Sequence, residues 1–211
     1  MTLETQNQEK WKGSTMDTIL RDVAKHEGSD EILQERPRDY VVSGDITPAH
    51  LKQLVELGVE ASISDLDDGR RVLGIGTEEG PYHIIDELTH ERLLKSRLSF
   101  HTHPDKNDVV FDAPSESDLF VTAERGDLPP IVVAHSRGML LCIVDEHAIE
   151  ELSKRTPRPV ESSPEDNNSD ALREYVAQQR DFASKIGATV FEASWDDPIR
   201  IAEIMRLFQR T

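Results

Sequence analysis

Two histidines two residues apart, His101 and His103, sit in the stretch Ser99-Phe100-His101-Thr102-His103-Pro104. Side chains on a strand alternate faces, so this spacing turns both imidazoles to one side and Phe100 and Thr102 to the other. A pair of that kind can hold one divalent metal ion. A catalytic zinc needs a third protein ligand and an open position for water or substrate. Asp118 supplies the candidate, in the run Pro114-Ser115-Glu116-Ser117-Asp118. If Ser115 caps a helix, Asp118 lies in its first turn, and the loop between can fold that turn over the histidines. The same residues also read as a capping box, with Asp replacing the usual Glu or Gln. A carboxylate in a first turn can serve both roles, and the two readings stand together here.

The elements that must position these groups follow from pattern. Thr47-Pro48 reads as an N-cap with Pro at the first helical position, and Leu51, Leu54 and Val55 form the apolar stripe that Gly58 ends. Strands are expected at 60–66, 71–77 and 82–86, with turns at Asp67-Asp68-Gly69 and Glu79-Gly80. A short helix at 89–95 precedes the His-x-His strand, 97–103. A loop rich in Asp and Asn, 104–113, leads to a helix that Gly126 closes. Apolar strands at 131–134 and 139–144 flank a turn at Ser136-Arg137-Gly138, and 147–155 is helical. Met16, Ile19, Leu20 and Val23 recur at helical spacing, placing a helix at 15–26. The expected class is α/β, with a core domain at 45–155. Residues 1–44 read as an N-terminal extension, 156–170 as a flexible acidic linker and 171–211 as a C-terminal helical extension, with helices at 171–186 and 199–208.

His101-Thr102-His103-Pro104, a ten-residue interval and Ser115-Glu116-Ser117-Asp118 resemble the JAMM motif of the JAB/MPN-plus metalloprotease family. The resemblance covers about 45–150. It implies a JAB/MPN-like (cytidine-deaminase-like) α/β sandwich of a curved mixed sheet with flanking helices, extended at both ends. It also implies one zinc ion held by His101, His103 and Asp118, with an upstream Glu as general base and the Ser115 hydroxyl stabilising the oxyanion. Glu60, just past Gly58 at the start of a strand, is the expected base; Glu56, one helical turn earlier, is the alternative. The implied activity is cleavage of an isopeptide or peptide bond after a small ubiquitin-like modifier, with a conjugate or precursor of that modifier as partner. A non-catalytic MPN-type scaffold is the alternative. A metal-dependent hydrolase of the PHP or amidohydrolase kind ranks lower, because those barrels need more chain after the first strand.

Composition narrows the partners. The 211 residues carry 41 Asp+Glu against 24 Lys+Arg, a formal charge of −17, which disfavours nucleic acid and anionic membranes. Arg outnumbers Lys, and acid excess with that bias suits a protein working in high salt. The lone Cys142 excludes an internal disulfide and reads as a small core residue. No apolar run approaches the ~20 residues of a membrane span, and the N-terminal residues lack an apolar signal region, so a cytoplasmic protein is expected. His83 and His90 read as surface residues, and His135 as a partly buried structural histidine.

Overall fold

Thr47 caps the helix that opens the core. Its hydroxyl accepts the His50 N–H, while His50 Nδ1 accepts the Thr47 N–H in return. Gly58, with φ of +68°, turns the chain out of that helix in the left-handed conformation that a side chain disfavours. The computed structural model describes residues 13–25, 38–66, 69–75, 99–116, 118–120, 130–155 and 168–210.

Within these residues the order is α1 (Met16–Lys25), β1 (Arg38–Val42), α2 (Pro48–Glu56), β2 (Ala61–Asp65), β3 (Arg71–Ile75), β4 (Ser99–Thr102), β5 (Ile131–His135), β6 (Gly138–Ile143), α3 (Glu146–Ser153), α4 (Ser169–Lys185), β7 (Thr189–Ser194) and α5 (Pro198–Arg210). The strands form one seven-stranded mixed sheet in the order β1-β3-β2-β4-β5-β6-β7. All neighbours are antiparallel except β4 and β5, which run parallel. A parallel pair needs a long crossover. The segment from His103 to Pro130 is that crossover, and it carries both the Asp-rich loop and Asp118.

Apolar side chains fill both faces of the sheet, which is why β5 and β6 read as continuous buried runs rather than alternating ones. One face packs Ile63, Phe100, Val132 and Leu141 against Met16 and Ile19 of α1, Leu51 and Leu54 of α2, and Ile201 and Ile204 of α5. The other packs Ile131, Val133, Leu140 and Cys142 against Leu119, Ala148 and Leu152 of α3, and Phe182 and Ala183 of α4.

The expected helices at 15–26, 147–155, 171–186 and 199–208 and the strands near 60–66, 71–77, 97–103, 131–134 and 139–144 are all present within a few residues. Two strands were not foreseen. β1 follows the Arg36-Pro37 break, and β7 has exposed side chains along most of its length, so neither shows the apolar pattern of a core strand. Both extensions join the core: α1 and β1 pack on the sheet, β7 pairs with β6, and α4 and α5 cover opposite faces. Gly138 permits the β6–β7 pairing, since a Cβ there would lie 2.0 Å from the Ala193 carbonyl oxygen. The expected strand at 82–86, the helix at 89–95, His83, His90, the Glu79-Gly80 turn and most of the 156–170 linker lie outside the described residues.

Candidate metal centre

The candidate site lies at the carboxyl end of β4, where antiparallel pairing to β2 changes to parallel pairing with β5. Ligand sites in α/β sheets favour such a position, because chain ends and crossover loops converge there. Phe100 and Thr102 are fully buried on the α1/α2 face. His101 and His103 therefore project from the opposite side, under the crossover.

The crossover folds back by a tight turn. Lys106 and Val109 exchange backbone hydrogen bonds at 3.1 and 3.0 Å around Asn107 and Asp108, which both have positive φ (50° and 60°). Asn and Asp tolerate this conformation better than most residues, and two such positions in sequence make a type I′ turn. The returning segment brings the Phe111 carbonyl to 3.1 Å from His103 Nδ1. A carbonyl only accepts, so His103 carries its proton on Nδ1 and presents the Nε2 lone pair to the site. Such a bond fixes the tautomer of a metal-binding imidazole.

Ser115 and Asp118 then start a helical turn as a reciprocal pair. Asp118 Oδ2 accepts the Ser115 N–H at 2.9 Å, and Ser115 Oγ accepts the Asp118 N–H at 3.1 Å. The capping-box reading is thus correct, and it does not compete with the metal reading. The same carboxylate places Oδ1 3.6 Å from His101 Nε2 and Oδ2 3.9 Å from His103 Nε2. The three side chains are 17%, 14% and 14% exposed, so they are sheltered yet reachable. Burial alone would raise the Asp118 pKa; the adjacent His101 and His103 rings and the bonds from Ser115 overcome it and hold the carboxyl below its ordinary value.

Two imidazole nitrogens and a carboxylate are a donor set that suits zinc. Tetrahedral ligands at ~2.0–2.1 Å from one ion stand about 3.4 Å apart. The observed separations are a few tenths of an ångström wider. Among the described residues no group of three or more His, Cys, Asp or Glu side chains is placed so that it could hold a metal ion as it stands.

Glu60 lies in the extended residues between Gly58 and β2, half-buried. Its pKa is raised from 4.5 to about 7, first by burial and then by the negative charge of Asp118. The position is held by Thr102, whose Oγ1 donates to the Val59 carbonyl and accepts the Ala61 N–H, each at 2.8 Å. The peptide groups on both sides of Glu60 are thereby fastened to the strand that carries the histidines. Glu56 instead lies on the exposed side of α2, in an ion pair with Lys52 at 3.9 Å.

Sequence reasoning missed the contribution of α4. Gln179 Oε1 accepts the Glu116 N–H at 2.6 Å, and Arg180 pairs with Asp112 at 2.6 Å. Leu172 and Val176 pack on Val109 and Ala113. No local pattern links residues more than sixty positions apart, so only the fold reveals this wall. His135 is buried next to the site. Its Nδ1 accepts the Arg137 N–H at 3.3 Å, and burial first, with the neighbouring His103 ring and the Arg137 and Arg180 charges, lowers its pKa to about 4 against the pull of Asp112. The ring is neutral at physiological pH. Cys142 is a protonated thiol, its pKa pushed up to about 12 by burial and then by Asp118, so it is neither ligand nor nucleophile.

Comparison of the chain with protein-family models, with curated proteins and with solved structures finds no match in any of the three. Among the described residues no helix is long and apolar enough to cross a membrane.

Proposed function

We propose that the chain is a zinc-dependent hydrolase of JAMM type that cleaves an isopeptide or peptide bond after a small ubiquitin-like modifier. The observation that carries this reading is the approach of His101 Nε2 and His103 Nε2 to the two oxygens of Asp118, with a near-neutral carboxyl group, Glu60, close enough to feel the Asp118 charge. A zinc ion held by His101, His103 and Asp118 would polarise the scissile carbonyl and acidify a water.

The chain's own residues supply the rest. Without metal the Glu60 pKa is raised to about 7; a divalent cation beside it would lower that value and favour the carboxylate. As a carboxylate it accepts the proton of the attacking water; as an acid it delivers that proton to the departing amine. The Ser115 hydroxyl accepts the Asp118 N–H and also bonds the Asp118 carboxylate, so its proton would turn from that carboxylate to a developing oxyanion. The hydrogen bond from His103 Nδ1 to the Phe111 carbonyl restrains the orientation of the ring.

The test is a fusion substrate in which a ubiquitin-like modifier ending in Gly-Gly precedes a lysine-linked or peptide leaving group. Cleavage after the second Gly supports the reading. Intact substrate at every salt concentration, alongside tight binding of the modifier, transfers support to the scaffold alternative.

A further inference from the structure

A cleft of about 290 Å³ opens beside the candidate metal centre, between the crossover loop, α4 and the β5–β6 turn. Its charged lining is Asp108, Asp112, Arg137, Arg173 and Arg180, with Val176 at its side. Three guanidinium groups in one cleft contrast with a chain of net charge −17. They come from different elements, Arg137 from the turn and Arg173 and Arg180 from α4, so the convergence is a product of the fold.

The three arginines are not equivalent. Arg180 is committed to structure, bonded to Asp112 at 2.6 Å and near Glu192 at 3.7 Å. Arg173 reaches Asp170 at 2.9 Å, but both side chains are open to solvent (60% and 89% exposed), so the pair holds it weakly. Arg137 is exposed, and its backbone is pinned: the N–H to His135 Nδ1 and the carbonyl to the Trp195 N–H at 3.2 Å. Neither the Arg137 nor the Arg173 guanidinium is held in a buried ion pair, so both can turn to a ligand. A carboxylate accepts two parallel hydrogen bonds from one guanidinium, the geometry that arginine favours. Asp112 neighbours Phe111, whose carbonyl holds His103, so the cleft is continuous with the wall of the metal centre.

We propose that this cleft is a subsite for the polypeptide substrate that binds an acidic side chain, Asp or Glu, lying a few residues from the scissile bond. Asp112 is paired with Arg180, so of the two lining carboxylates Asp108 is the one set against the Arg137 and Arg173 guanidinium groups. The placement rests on the hydrolase reading, but binding is measurable without turnover.

The experiment uses the full-length Glu60→Gln protein and two fluorescent octapeptides that differ only in Glu/Asp against Gln/Asn, followed by anisotropy. The acidic peptide is expected to bind about ten-fold tighter at low salt, with the difference shrinking as salt screens it. Arg137→Ala with Arg173→Ala should erase the preference. Arg200→Ala, on α5, should leave it intact and controls for general charge. Equal affinity for the two peptides, or a preference that survives the double change, overturns the proposal. So does competition in which inorganic phosphate binds at the arginines and the acidic peptide does not. In the active protein Arg137→Ala should raise KM with kcat unchanged. Hydrolysis with unaltered KM would sink the subsite and spare the enzyme; binding without any hydrolysis would do the reverse.

Discussion

Asp118 and Ser115 bond each other reciprocally, at 2.9 and 3.1 Å, while the carboxylate of Asp118 faces both His101 and His103. One aspartate therefore starts a helix and completes a donor set. The cap locks the carboxylate before any ligand arrives, so little ordering cost remains for binding. That economy explains how a short polar segment after a long loop can deliver a group accurately to a strand end far away in sequence.

The base assignment is tested by substitution. Glu60→Gln should keep the fold and metal affinity but lower hydrolysis by ~10²–10⁴, since an amide cannot take the proton from water. Glu56→Gln, on the exposed side of α2, should leave the rate unchanged. Steady-state kinetics on matched preparations decides, and an inactive Glu56→Gln beside an active Glu60→Gln would move the role.

Ser115→Ala removes one oxyanion donor and one cap acceptor together. The expected rate loss is about 10²-fold. Loss of the cap should also cost ~1 kcal/mol of stability. Urea denaturation beside kinetics separates the two, and a Ser115→Ala protein with full activity would remove the hydroxyl from the mechanism.

Thr102 tests the link between fold and site. Thr102→Val conserves shape but leaves the Val59 carbonyl and the Ala61 N–H without their buried partner, each bonded at 2.8 Å in the native chain. A loss of about 1–3 kcal/mol is expected. Thr102→Ser should recover most of it and restore turnover as well. Restored stability without restored turnover would mean that Thr102 does not position Glu60.

How much of this was legible in the residues differs by element. The helix from Thr47 to Gly58 was readable because its N-cap, its first-turn proline and its terminating glycine each act locally. The His-x-His strand was readable because period two places His101 and His103 together whatever surrounds them. The Ser115–Asp118 turn was readable as a cap, and the loop before it was long enough to bring its carboxylate toward the two histidines. β7 was not, because Val190 and Phe191 are exposed and the strand owes its place to pairing with β6, not to an apolar face. Nor were Gln179 and Arg180, which act on residues over sixty positions earlier and lie on a helix whose own pattern says only that one side is buried. Thr102 had a weak signal: a polar residue on the core-facing side of a strand must find buried partners.

The metal-free protein should show two opposed pH responses. Glu60 has its folded pKa raised from 4.5 to about 7, so its contribution is most favourable below pH 4.5 and is lost as pH rises through 7. Glu60→Gln should therefore stabilise the metal-free chain above pH 7, on the order of 1–3 kcal/mol, with the gain fading toward pH 4.5. His135 has its folded pKa lowered from 6.5 to about 4, so its contribution is present above pH 6.5 and is lost as pH falls through 4. Denaturant midpoints measured from pH 4 to 8 check both slopes. A Glu60→Gln protein no more stable than the parent at pH 8 would show that Glu60 is not held in a charge-averse site.

The most direct test of the metal centre is a zinc-binding isotherm on the chelator-treated, full-length protein, followed by circular dichroism at each step. The account requires about one zinc per chain, loss of binding in His101→Ala, His103→Ala and Asp118→Ala, and a spectrum that stays folded without metal, because the seven-stranded core closes without it. A parent protein that binds no zinc, or variants that bind it as well as the parent, would contradict the account.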